Sequence, residues 1–237
     1  MLRFASTSVH PSAIVSEDAV LADDVVVGPY AVIEGATVLG RGTSVGAHAL
    51  VAEHTTLGAG VAVFPHAAVG CIPQDRKFNG EVTATVIDDD AVIREHATIH
   101  RGTAASGTTF VGAGALVMTS VHVAHDCHVG AGAILASSAQ LAGHVVVGER
   151  AIVGGLAALH QFVHIGAGAM VGGLAAVRGH VLPHTLVKGN DARAVGLNLT
   201  GLRRAGWTNP AIRALLAAYA YLSSSRPTPP LPAAPRH

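Results

Sequence analysis

A branched aliphatic residue recurs every six positions along most of this 237-residue chain. Val9, Val15, Leu21 and Val27 open the series, which runs in one phase to Val69, resumes with Ile87, Ile93 and Ile99, and continues from Val111 to Val177. In all, 26 residues share the phase, often followed by Gly or Ala. A helix would show a period near 3.6 and an ordinary strand a period of 2. A period of six fits a short strand plus a corner, repeated. Three such units close a triangular coil of about eighteen residues with the aliphatic side chains inside. The small residue beside each aliphatic is expected to let the backbone turn at the corner. Stacked coils would pair as parallel strands about 4.8 Å apart. Each coil buries its aliphatics only against its neighbours, so stability accumulates along the stack.

The pattern predicts an all-β fold, a parallel β-helix over residues 1–184. Two stretches, 71–86 and 100–110, break the repeat without changing its phase. They read as loops protruding from an intact prism, and long loops on a rigid scaffold often carry function. The repeat stops after Val177. Asn209-Pro210 suits a helix start, and the Ala- and Leu-rich run Ala211–Leu222 continues it. A short helical C-terminal segment is therefore expected over 185–222, capping an open sheet edge that would otherwise invite aggregation. Residues 223–237 hold five prolines and predict a disordered tail.

Half the residues are apolar and only 13% are charged, against about 25% in an average soluble chain. Gly interrupts the apolar stretches throughout, and no run approaches the roughly 18 residues of a membrane span. Met1–His10 lacks the apolar core of a secretory signal. Cys71 and Cys127 form no CxxC pair and suggest no disulfide framework. These features predict a soluble cytoplasmic protein. The net charge is zero but unevenly placed: from Arg178 onward, eight basic residues face Asp191 alone. A basic end fits an anionic partner, a nucleotide phosphate or an acidic protein, or else a solvated surface.

An eighteen-residue coil turns sequence separation into contact. His125 should lie beneath Gly143, and Gly143 beneath Gln161. Asp126 should lie under His144, and Ala142 under His160. The fragments HVAHDC (122–127), LAGH (141–144) and HQF (160–162) thus share one ladder. A neutral imidazole can accept a proton near pH 7. A carboxylate, from Asp126 or from a neighbouring subunit, could hold the ring. Gly143, without a side chain, lets an acyl group approach, and its N–H could stabilise an oxyanion. No Ser or Cys with an adjacent base stands out as a covalent nucleophile, so direct attack by a substrate hydroxyl on a thioester is the economical chemistry. The competing reading is a stripe of polar surface histidines.

The segments GCIPQDRKFNGE (70–81), TIHRGT (98–103), SVHVAHDC, LAGH, HQF and KGNDARAVGLNLTGLRR (188–204), in that order, resemble the motifs of the UDP-N-acetylglucosamine O-acyltransferase family of lipid A biosynthesis. The resemblance covers His10 to about Tyr221. It implies a left-handed helical sense and a homotrimer with its cleft between adjacent prisms. The implied reaction moves a 3-hydroxyacyl group from acyl carrier protein to the 3-hydroxyl of UDP-N-acetylglucosamine, the first step of lipid A synthesis. No cofactor is implied beyond the carrier's phosphopantetheine thioester, and no metal. The resemblance makes His125 the general base, Asp126 its orienting partner and Gly143 the oxyanion donor. Gln74, Asp75 and Lys77 of the first loop would meet the sugar or its neighbouring acyl group. His100, His122, His144 and Gln161 would line the cleft, with His160 in support. Asn198 and Arg204 would meet the uridine diphosphate, and Gly173 would close the acyl groove. The acidic carrier protein suits the basic C-terminal segment.

Asp191 stands where the family usually has histidine, and Thr200 and Ala205 stand where Glu and Arg are common. Three other readings share the repeat. One is a zinc enzyme like the γ-class carbonic anhydrases, with imidazole ligands drawn from fifteen histidines, such as His96 with His100 or His122 with His125. Another is the N-acyltransferase of the same pathway, for whose N-terminal domain a repeat beginning at Val9 leaves no room. The third is a non-catalytic trimeric scaffold.

Overall fold

The computed structural model describes residues 7–224. Within them the six-residue period becomes a prism of three parallel sheets. The first wall begins with Ser8–Val9, the second with Ile14–Val15 and the third with Val20–Leu21, and the chain winds through them in turn. The corner from the first wall to the second is called here the first corner, that from the second to the third the second corner, and the return to the first wall the third corner. The coil is a left-handed β-helix.

Each short strand sends its second residue inward, because successive side chains point to opposite faces of a strand. Val27, Ile33, Leu39, Val45 and Val51 are all within 2% of full burial. A single core cluster runs from Val25 to Val187. Burying each such side chain contributes roughly 1.5–3 kcal/mol. In uninterrupted coils the register is eighteen, as Ser8 opposite Val26 shows. The two inserts lengthen it: Ala62 faces Val92, and Thr98 faces His122. Both inserts leave from the second corner, one between Ala68–Cys71 and Ala84–Ile87, the other between Thr98–His100 and Thr108–Val111. The loops are therefore shorter than the breaks in the repeat suggest, and the stack is continuous beneath them.

The corners work differently from the expectation. Most corners place one residue at positive φ, and seventeen of these, among the described residues, are not glycine. Six are histidines: His48, His54, His66, His96, His144 and His184. Histidine, like Asn and Asp, is enriched several-fold in this left-handed region, so much of the histidine content answers to corner geometry. Where glycine follows a strand, as at Gly40, Gly130 and Gly148, it serves close approach instead. A Cβ on Gly148 would lie 2.5 Å from Ala167 N in the next coil.

The C-terminal segment is not helical from residue 185. Thr185–Lys188 still pairs in parallel with Met170–Val171 and then forms an antiparallel hairpin with Arg193–Leu197, which ends the first wall. The segment KGNDARAVGL has no six-residue repeat to announce this hairpin. Helix α1 (Leu199–Arg204) and helix α2 (Asn209–Ser224) follow. They enclose a small second core of Leu197, Leu202 and Ile212, and the Tyr219 hydroxyl donates to Pro183 O at 2.6 Å. The helix start at Asn209-Pro210 agrees with the sequence. The Pro-rich tail lies outside the described residues beyond Ser224. No helix among the described residues is long and apolar enough to cross a membrane.

Candidate active site

The second corner carries His125-Asp126, Gly143-His144 and Gln161-Phe162 on three successive coils. His144 N donates to His125 O at 3.0 Å, and Phe162 N to Gly143 O at 3.2 Å. The His125 ring lies directly over Gly143: a Cβ there would be 2.5 Å from His125 Cε1 and 2.7 Å from Nε2. Only glycine leaves room for the imidazole. Among the described residues, no acceptor takes the Gly143 N–H.

His125 is 7% exposed, and its Nδ1 lies 2.7 Å from Asp126 Oδ2. The Asp126 side chain is fully buried. Burial pushes its carboxyl up, but hydrogen bonds from His125, Ser106 and Thr103 outweigh that and hold it well below the usual carboxylate range. His144 packs edge-on against His125 at 5.1 Å, stacks on Phe162 at 4.6 Å, and brings Nε2 to 3.6 Å from Asp126 Oδ2. Burial lowers its basicity. Burial, followed by repulsion from His122 and His125, pushes the His100 imidazole down to about 4. His122, edge-on to His100 at 4.8 Å, shares a 2.7 Å hydrogen bond with Thr98 Oγ1 and is likewise lowered by burial, then by His125. Burial therefore favours the neutral forms of His100, His122 and His144 beside one fixed anion.

An open cleft of about 640 Å³ adjoins the cluster, lined by Asp75, Lys77 and Phe78 of the first loop, Thr103 of the second, and His144, Gln161 and Phe162 of the corner. His125 does not line it but packs behind His144, which does. Gln74 is exposed and outside that lining. His160 is exposed too, its Nδ1 turned to Gln161 O at 3.2 Å, apart from the packed rings.

Three residues lie elsewhere in the chain. Gly173 is on the first corner. Asn198 reaches the third corner, where its side chain donates to Gly168 O and accepts from Gly201 N, capping α1. Arg204 is exposed at the end of α1. A single chain does not bring these three to His125. Asp191 pairs with Arg178 at the surface.

Sequence reasoning missed Thr103, Ser106 and Thr109, which hold Asp126. Thr103 gives both its N–H and its hydroxyl to the carboxylate, Ser106 gives its hydroxyl, and Thr109 Oγ1 accepts from Asp126 N at 2.8 Å. Only the motif TIHRGT hinted at them. As for metal, His125, Asp126 and His144 offer ligand atoms within 4.8 Å of one another. A cation there would have to displace donors already held by Asp126. Among the described residues no three imidazoles meet in this way. His96 instead stacks on His66 at 5.1 Å, in a column at the first corner, away from His100.

The family model for a bacterial transferase hexapeptide of six repeats matches residues 18–53. That for domain 2 of Udp N-acetylglucosamine O-acyltransferase matches 181–229. The acyl-[acyl-carrier-protein]–UDP-N-acetylglucosamine O-acyltransferase of a Sulfurihydrogenibium species is 57% identical over 221 residues, 93% of this chain and 82% of its own. That of Azorhizobium caulinodans is 49% identical, over 89% of this chain and 78% of its own. Among solved structures, the Moraxella catarrhalis UDP-N-acetylglucosamine O-acyltransferase superposes with a TM-score of 0.89 at 38% identity, covering 92% of this chain and 85% of that one. Shared sequence at this level, across walls, loops and C-terminal segment alike, makes the chain a member of the UDP-N-acetylglucosamine O-acyltransferase family.

Proposed function

We propose that the protein transfers a 3-hydroxyacyl group from acyl carrier protein to the 3-hydroxyl of UDP-N-acetylglucosamine, the acylation that opens lipid A synthesis. The observation that carries this is the His125–Asp126 pair, buried, hydrogen-bonded and seated on Gly143 beside the cleft. With Nδ1 bonded to Asp126, His125 Nε2 is the free base. It takes the proton of the sugar hydroxyl as that oxygen bonds to the thioester carbonyl carbon. The Gly143 N–H, which no acceptor among the described residues takes, donates to the developing oxyanion. Collapse of the tetrahedral intermediate breaks the carbon–sulfur bond, and the imidazolium returns the proton to the departing pantetheine thiolate. Asp126 stabilises the imidazolium in between and stays ionised throughout. Asp75, Lys77, His144 and Gln161 position the acceptor in the cleft, with His100 and His122 beside it.

The chain works as a cytoplasmic homotrimer. The separation of Gly173, Asn198 and Arg204 from the second corner supports this reading, because a neighbouring prism can supply them to the cleft. Its phosphate contacts would come from the basic C-terminal segment through Arg204 and its neighbours.

Incubation with 3-hydroxyacyl carrier proteins and UDP-N-acetylglucosamine, read by product mass, tests the assignment. The expected product is an ester on the 3-oxygen of the sugar nucleotide. No transfer with any chain length, or activity that follows stoichiometric zinc, would defeat it.

A further inference from the structure

We propose that Thr103 and Ser106, on the loop between Thr98–His100 and Thr108–Val111, are positioning residues that fix the tautomer and orientation of His125 through Asp126. This deepens the proposed acyl transfer and rests on it.

The Asp126 carboxylate has two acceptor sites filled on each oxygen. Oδ1 takes the Thr103 N–H at 2.9 Å and the Ser106 hydroxyl. Oδ2 takes the Thr103 hydroxyl at 2.7 Å and faces His125 Nδ1 at 2.7 Å. The Thr103 oxygen accepts from Ala105 N at 3.2 Å, which leaves its proton for Asp126. A fully buried carboxylate has no water to turn to, so these donors alone decide where its lone pairs point. Three of the four contacts come from one loop. With its other sites filled, the carboxylate has one direction left for His125. That direction requires hydrogen on Nδ1 and leaves Nε2 as the lone-pair nitrogen.

The loop itself is built to stay put. Gly102 has backbone so close that a Cβ would lie 2.2 Å from Thr108 N, and Gly107 turns the chain with φ of +76°. Glu81 of the first loop accepts from Ala104 N at 3.1 Å and from Asn79 N at 2.8 Å, joining the two loops across the cleft. The acceptor-binding loop and the loop that sets the base are thereby connected.

Three variants test this. Thr103→Val removes one hydroxyl donor while keeping shape and the backbone donor. Thr103→Ser restores the hydroxyl. Ser106→Ala removes the other donor. Thr103→Val and Ser106→Ala should each lower kcat roughly 10–100-fold, with KM for the sugar nucleotide within about twofold, and Thr103→Ser should recover most of the loss. Because the rate readout assumes acyl transfer, the ring is also read directly: nitrogen-15 spectra of histidine-labelled protein, assigned with His125→Gln, should show His125 with hydrogen on Nδ1 in the parent and mixed tautomers in Thr103→Val and Ser106→Ala. An unchanged His125 spectrum in both variants overturns the proposal whether or not the parent turns over. So does a loss confined to KM, or one that Thr103→Ser fails to recover. A parent without turnover but with the expected spectral change defeats the proposed reaction and leaves the positioning role standing.

Discussion

Gly143 meets two demands at once. Its missing side chain makes room for the His125 ring, and no acceptor among the described residues takes its N–H. Gly143→Ala must push the imidazole by an ångström or more, so kcat/KM should fall at least about 10²-fold while the fold survives; steady-state rates and circular dichroism check this. His100 gives a pH signature. Its folded imidazole is depressed to about 4, whereas an unfolded one titrates near 6.5. Between those values the unfolded chain binds the extra proton, so stability is present in full above about 6.5 and falls as pH drops toward 4. Denaturant unfolding should show a loss of up to about 3 kcal/mol from this group over that window. His100→Gln should flatten part of the slope, and an equal slope in that variant would contradict the assignment. The meeting of His125, Asp126 and Gly143 was legible in the sequence because eighteen-residue arithmetic holds for Asp126 to His144 and beyond. The sequence concealed Thr103 and Ser106 because inserted residues have no register from which a neighbour can be inferred.

The strand-and-corner unit was the most legible element. Every coil makes the same demand, so the inward position is filled by the same kind of side chain from Val9 to Val177. The hairpin Thr185–Lys188 with Arg193–Leu197 was hidden for the opposite reason: it occurs once, antiparallel, with the last strand largely exposed. The corners were misread, because glycines such as Gly130 and Gly148 answer to close coil packing while Asp, His, Ser and even Leu take the left-handed turn. The stacked design predicts position-dependent stability. Leu135, fully buried between Val117 and Val153, should cost 2–5 kcal/mol as Leu135→Ala (about the range for buried leucine). Val9, 43% exposed on the end coil, should cost less than about 1 kcal/mol as Val9→Ala. Urea unfolding separates the two.

For the whole molecule, the spread of the candidate site residues over three corners has a consequence for assembly. Sedimentation should give roughly three times the 23.9 kDa chain mass. If His125 of one copy and Arg204 of the next complete one cleft, chains carrying His125→Ala and chains carrying Arg204→Ala, each nearly inactive alone, should complement. Random co-assembly in equal amounts leaves about a quarter of the clefts intact, so activity should recover to about that fraction; no recovery would place both residues in one copy's cleft.

Acyl transfer by this chain, as proposed, requires His125 as its base. The most direct measurement is the rate of acyl transfer to UDP-N-acetylglucosamine by His125→Ala, alongside its affinity for the sugar nucleotide. The expected result is a kcat/KM lower by roughly 10²–10⁴-fold with affinity changed by less than about threefold. A rate equal to that of the parent chain would contradict it.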